Sequence, residues 1–251
     1  LRELVKKADG YGMLVIIDPH QDVWSRFTGG DGAPGWTLEQ AGFDLDHLDD
    51  CGAALTHQHH GDPLPSMIWP SNYNKLAVAT MFTLFFAGKD FAPNCMVAGQ
   101  NIQDYLQGHY IAAITQVAQT LHDLPNIIGF EPMNEPSRGY IGESDLKCIP
   151  GVIEVRLGQT PTILQSMALG AGTPQTVAVY KLGLTGFRKV GKSLANAKGI
   201  SAWQLPENDI WREHGLWQLN KLGQPEVIMP DYFSVLNGRQ VNFNNDYYKP
   251  F

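Results

Sequence analysis

The residues with the clearest chemical potential are Glu131, Asn134 and Glu135, which close the apolar run of IIGFEPMNEPSR at 127–138. Charge is costly to withdraw from water, so carboxyl groups at the end of a buried strand point to a chemical purpose. A second run ends in the same way: VIID leads into Pro19, His20, Gln21 and Asp22. In a parallel α/β sheet or barrel, catalytic side chains gather at the carboxyl ends of strands, and two such ends converge on one pocket. Asp18, His20 and Asn134 could instead cap loops or helices. The matching placement on two strands favours chemistry.

Glu135 is the best single candidate. A carboxyl partly screened from water holds its proton to higher pH and can give it to a leaving oxygen. Asn134 beside it can hydrogen-bond a sugar hydroxyl next to the reacting carbon. Glu131 is equally well explained as a buried glutamate paired with a basic neighbour. His57, Gln58, His59 and His60 lie in a polar loop without cysteine or strand-end carboxylate at ligand spacing, so no metal is expected there. Trp24, Trp36 and Trp69 lie in the Gly-rich stretch after the first strand, where an aromatic face can stack on a sugar or line a lipid groove. GGDG at 29–32 lacks the Lys-Ser/Thr of a phosphate loop, and no nucleotide cofactor is expected.

Certain elements must position these groups. Residues 1–9 read as an amphipathic helix, and MLVIID at 13–18 as a strand buried on both faces. Residues 72–87 and 101–122 return to helical spacing, the second with Ile102, Leu106, Tyr110, Ala113, Ile114, Val117 and Leu121 on one stripe. Leu124-Pro125-Asn126 stops that helix, and NIIGFE supplies the next strand. Strand, long loop, helix and strand make a βαβ unit, so the pair is parallel. The loop at 19–71 is long enough to imply a function or structure of its own. After Pro136 no second βαβ repeat is visible. Residues 137–250 read as a long excursion with small sheets, and NFNNDYYKPF as the opening of a helix.

The chain has 251 residues, 43% of them hydrophobic, which suffices for a sizeable core. Its net charge of −7 argues against nucleic acid or an anionic membrane as the main partner. Its apolar runs are too short or interrupted to span a bilayer. Three scattered cysteines, without a CxxC pair, and the lack of a glycosylation sequon fit free thiols in a reducing, cytoplasmic setting.

IIGFEPMNEP resembles the fourth-strand motif of family 5 glycoside hydrolases. IIDPHQDVWSRFTGGDGAPGWT is similar to the third-strand region of that family's endoglycoceramidase-related branch, which holds fungal glucosylceramidases and steryl β-glucosidases. VAVYKLGLTGFRKVGK and the segments from SAWQLPENDIWREHGLW to FNNDYYKPF resemble the long insertion of the fungal proteins.

The resemblance implies a (β/α)8 TIM barrel, of which this chain is an internal fragment. Residues 1–136 correspond to strands 3 to 4, and 137–251 to the insertion, in one domain. It implies a retaining hydrolase acting on a steryl β-glucoside or glucosylceramide, with no cofactor or metal. Glu135 matches the general acid/base, Asn134 the partner asparagine, and His20 and Asp22 the glycone site, with Trp24 and Trp36 as further substrate-binding candidates. In such reactions one carboxylate attacks the sugar while the other protonates the leaving oxygen and then activates water.

The family nucleophile is a later strand-end glutamate. Glu143, Glu154, Glu207, Glu213 and Glu226 all lack that context, so the chain alone is expected to be inactive. The family's second-strand arginine would precede Leu1, and its last-strand tryptophan would follow Phe251. An endo-β-glucanase or mannanase, or a non-catalytic sugar- or lipid-binding remnant, are the alternatives. The glycolipid or glucoside is the expected partner, with transient contact to a membrane surface.

Overall fold

Amphipathic spacing at the start folds as α1 (Arg2–Asp9), which buries Val5. The computed structural model describes residues 1–60, 69–152, 154–205 and 208–251. Next come β1 (Val15–Ile17), α2 (Trp36–Gln40), α3 (His57–His60), α4 (Leu76–Phe91), β2 (Met96–Val97), β3 (Gln100–Asn101), α5 (Ile102–Leu121) and β4 (Ile127–Phe130). β1 and β4 pair in parallel, with Ile17 opposite Phe130. The βαβ unit therefore forms, and the long connection contains α2, α3 and 3-10 turns at Arg26–Thr28 and Trp69–Asn74. Part of it, 61–68, lies outside the described residues.

Expected burial of the strands on both faces does not hold. Ile16 is 53% exposed, and Leu14, Ile128 and Phe130 are exposed too. β1 and β4 form a two-stranded sheet, and among the described residues nothing covers that face. α4 carries apolar residues all round and is buried along nearly its whole length, as such a sequence requires. α5 buries only Ile102, Leu106 and Leu121 of its predicted stripe. Tyr110, Ala113 and Ile114 line a cavity instead.

Beyond Pro136 the small sheets are antiparallel. β5 (Gly158–Thr160), β6 (Gln175–Gly183) and β7 (Gly186–Ala195) form one sheet around α6 (Ile163–Gly170). After α7 (Ile210–Glu213) come two hairpins, β8 (Trp217–Leu219) with β9 (Pro225–Val227) and β10 (Val235–Leu236) with β11 (Arg239–Gln240). VIMPDYFSV is mostly irregular, and the tail makes a π-helical turn at Asn244–Tyr248.

One core joins the two halves. Phe43 stacks on Trp203 with centroids 4.4 Å apart, and the Trp211 indole donates to Thr80 at 3.0 Å. Gly139, at φ +55°, lets the chain after β4 run against α4, since a Cβ there would lie 2.4 Å from the Ala79 carbonyl oxygen. No helix among the described residues is long and apolar enough to cross a membrane. All three cysteines are free.

Asp209 caps α7, accepting from the Trp211 and Arg212 amides. It is buried, and its Oδ2 has no hydrogen-bond partner among the described residues. Burial pushes its carboxyl from an ordinary 3.8 up to about 7, against the pull of the Arg212 and Trp211 amides. The native state therefore holds this proton more tightly than the unfolded chain. Its contribution to stability falls as pH rises from about 4 to about 7, and above 7 the ionised group costs about 4 kcal/mol. Asp209→Asn, which keeps a cap acceptor, is expected to exceed wild type in urea-unfolding free energy at pH 8 and to converge with it towards pH 4. Parallel pH profiles for the two proteins would refute this.

Candidate active site

Past their last paired residues, β1 and β4 stay side by side. The Glu131 amide donates to the Ile17 carbonyl at 2.8 Å, and the Asn134 amide to that of Pro19 at 3.2 Å. The two polar strand ends are thereby held in contact.

Gln21, 7% exposed, is the bridge between them. Its Nε2 donates to the Asn134 carbonyl at 2.8 Å, the Glu135 carbonyl at 3.1 Å and the Tyr73 hydroxyl at 3.3 Å. Its Oε1 accepts the Trp24 amide at 3.1 Å. In return the Asn134 Nδ2 donates to the Gln21 carbonyl at 3.0 Å, which leaves Oδ1 without a partner among the described residues. Tyr73 also accepts the Val23 amide at 3.3 Å. Burial raises the Tyr73 phenol's pKa, and the charges of Asp22 and Glu135 add to it.

Val23, Trp24 and Glu135 have φ of +43°, +77° and +40°. Left-handed backbone at a β-branched and two larger residues costs about 1–3 kcal/mol each and persists only where surroundings impose it. Here the Gln21 bridge imposes it, and the strain falls on both strand ends at once.

The GGDG segment serves the same loop. Asp22 and Asp31 exchange backbone hydrogen bonds at 3.2 and 3.0 Å. A Cβ on Gly30 would lie 1.9 Å from the Asp22 carbonyl oxygen, so glycine is required for this approach. His20 Nε2 lies 3.2 Å from Asp22 Oδ2. His20, Asp22 and Asp31 present ligand atoms within 4.8 Å of one another and are the residues that could hold a metal ion, although open acidic groups commonly cluster without one.

Beside His20 opens a cavity of 380 Å³, walled by Trp24, Trp36, Phe85, Tyr110 and Met133. Trp24 is a packed wall rather than a stacking platform. It is 5% exposed, edge-on to Phe82 at 5.3 Å, with its indole N–H on Thr37 at 3.0 Å. Trp36 is half-buried and edge-on to His109 at 5.1 Å. Tyr110 donates to the Pro132 carbonyl at 2.6 Å, tying α5 to the loop after β4.

The structure thus brings His20, Asp22, Asn134 and Glu135 onto adjoining loops and places Trp24 and Trp36 in the cavity wall. Glu135 is exposed, not partly screened as expected, because among the described residues no element covers it. Glu131 is exposed and has no basic partner among the described residues, which corrects the buried-pair expectation. Asp18 is exposed, and Trp69 leans on Tyr73. His59 bonds Thr56 at 2.7 Å and joins no ligand cluster among the described residues; the His60 side chain lies outside them.

Of the later glutamates, Glu143 pairs with Arg138, and Glu154, Glu213 and Glu226 are exposed away from any parallel strand. Glu207 lies outside the described residues. Gln21 and Tyr73 were not singled out from sequence. Gln21 sat inside the quoted PHQD cluster, whereas Tyr73 looked like an ordinary member of a helical stripe.

No family model matches the chain. It is 46% identical to a glucosylceramidase of Rhizopus delemar, over 100% of this chain and 37% of that protein. It is 42% identical to an ergosteryl-beta-glucosidase of Saccharomyces cerevisiae, over 94% of this chain and 36% of the relative. A crystal structure of Cryptococcus neoformans sterylglucosidase 1 superposes with a TM-score of 0.90 at 36% identity, covering 98% of this chain and 38% of that one. The chain spans a little over a third of the length of these relatives, 37% in the first.

Proposed function

Over the part of its relatives that it spans, the chain belongs to the fungal glucosylceramidase and steryl glucosidase branch of glycoside hydrolase family 5, and from that premise we propose that it carries the acid/base half of a retaining β-glucosidase acting on glucosylated lipid. Glu135 protonates the leaving oxygen and then activates water. Asn134, through its unpartnered Oδ1, together with His20 and Asp22, receives the sugar hydroxyls. A glutamate from elsewhere in the full-length protein attacks the sugar carbon.

The observation that carries this reading is the Gln21 bridge, which fixes the backbone of Asn134 and Glu135 against the loop bearing His20 and Asp22. We read β1 and β4 as the third and fourth strands of a (β/α)8 barrel. Residues 1–136 are then barrel and 137–251 an insertion in the same domain. The exposed apolar side chains of Ile16, Ile128 and Phe130 are where neighbouring barrel strands would pack. The apolar, aromatic-walled cavity beside His20 suits a lipid aglycone better than a second sugar. A cytoplasmic site of action is part of the proposal and rests on the three free thiols.

The test compares full-length protein with the 251-residue chain on a steryl glucoside, glucosylceramide and cellooligosaccharides. The expected result is hydrolysis of a glucosylated lipid by the former and no turnover by the latter. Cleavage of cellooligosaccharides alone, or binding without turnover, would overturn the substrate class. Hydrolysis by the pure chain would place the nucleophile among its own glutamates.

A further inference from the structure

The β6–β7 hairpin is built unlike the rest of the molecule. Its base packs through Val177 and Ala195 against Leu169 of α6. Its distal half leaves that core. Leu182 faces Phe187 across the hairpin, Lys181 faces Arg188, and Leu184 stands fully exposed in the two-residue turn. Leu182, Phe187 and Val190 are exposed as well. Because pairs alternate between faces, the apolar tip pair and the basic pair behind it point to opposite sides of the ribbon.

Charge is segregated in the same way. From Val155 to Leu205 there is no aspartate or glutamate, although the chain holds 25 in all. The same stretch carries Arg156, Lys181, Arg188, Lys189, Lys192 and Lys198, in a chain whose net charge is −7. Arg156 sits over the Tyr180 ring at 6.0 Å, adding its charge midway along the hairpin, where Tyr180 faces Lys189.

We propose that the tip of the β6–β7 hairpin is a membrane-surface anchor, which inserts Leu182, Leu184 and Phe187 among the acyl chains of an anionic bilayer while its Lys and Arg collar engages the lipid headgroups. A ribbon end with no packed partner among the described residues, three exposed apolar side chains and an acid-free basic collar combines the two forces that hold a protein on an anionic interface. The long Lys and Arg stems allow the charges to stay at headgroup level while the tip goes deeper. The remainder of the chain, strongly acidic, is repelled by the same surface, so the hairpin sets one orientation. The anchor needs no glycosidase chemistry, and its test uses lipid without any sugar.

The experiment is co-sedimentation of the purified protein with vesicles of phosphatidylcholine, with and without phosphatidylserine. The expected result is binding to the anionic vesicles only, weakening as salt is raised. Replacing Lys181, Arg188, Lys189 and Lys192 by Gln is expected to weaken it about a thousandfold. Leu182→Ser, Leu184→Ser and Phe187→Ser together are expected to weaken it at least about tenfold. Far-UV circular dichroism checks the fold; if the triple variant fails, Leu184→Ser alone, at the fully exposed turn, replaces it and is expected to weaken binding in the same direction. Equal binding by wild type and variants, or no preference for anionic vesicles, would overturn the proposal. So would a protein dimer in sedimentation that the tip variant abolishes, since the tip would then be a protein interface.

Discussion

Glu135→Gln in the full-length protein is expected to lower turnover of a glucosylated sterol about a thousandfold, the scale of losing a positioned proton donor. The amide has nearly the shape of the carboxyl, and the bridge from Gln21 reaches the backbone carbonyl of residue 135 rather than its side chain. The loop should therefore stay in place, and the loss should be chemical. That has a consequence for the choice of substrate. A steryl oxygen is a poor leaving group and needs a proton, whereas a dinitrophenolate does not. On a dinitrophenyl β-glucoside the variant should form its glycosyl-enzyme at close to the wild-type rate and then stall, giving a burst, because water still needs a base. Azide needs no deprotonation and should restore turnover. Full activity of the variant on the sterol substrate would remove Glu135 from this role. An equal loss on both substrates without azide rescue would make the residue structural.

Much of the frame could be read from residue patterns. α4 and α5 are long apolar-rich helices, and the parallel pair followed from two β-branched runs ending in polar residues. What could not be read has a physical cause in each case. MLVIID reads as buried on both faces because an apolar strand looks the same whether or not other elements pack on it; Ile16 is exposed because, among the described residues, none packs on that face. Trp24 and Trp36 sit in one Gly-rich stretch, yet Trp24 is a wall against Phe82 and Phe85 and only Trp36 is half-open, a difference set by α4 far along the chain. The place of Glu135 just past a parallel strand was legible from its setting, but its exposure was not, since exposure depends on what covers the strand ends. GGDG was legible only as something other than a phosphate loop. Its use, a close backbone approach to Asp22, needs the turn to be closed first.

Gln21→Leu is expected to lower the unfolding free energy by about 3 kcal/mol, because the Trp24 amide loses its acceptor in a buried setting and two strand-end carbonyls lose their donor. Leucine fills a similar volume, so the effect is polar rather than a cavity. Relief of the strained backbone at Val23, Trp24 and Glu135 offsets part of this loss: once the bridge is gone these residues can relax out of positive φ, and the native arrangement of the two strand ends is no longer held. Relaxation at Glu135 moves the proposed proton donor, so kcat of the full-length protein should fall by about tenfold or more with KM less affected. Tyr73→Phe keeps the Gln21 bonds to both carbonyls and removes only the phenol oxygen, so it should cost about 1 kcal/mol and leave kcat nearly unchanged. Urea unfolding of both variants, with steady-state kinetics of the corresponding full-length proteins, separates the possibilities. Wild-type stability with lost activity in Gln21→Leu would mean that Gln21 contacts substrate directly. Wild-type values for both would mean that the strand ends hold their geometry without the bridge, and the structural basis of the proposed site would have to be sought elsewhere on these two loops.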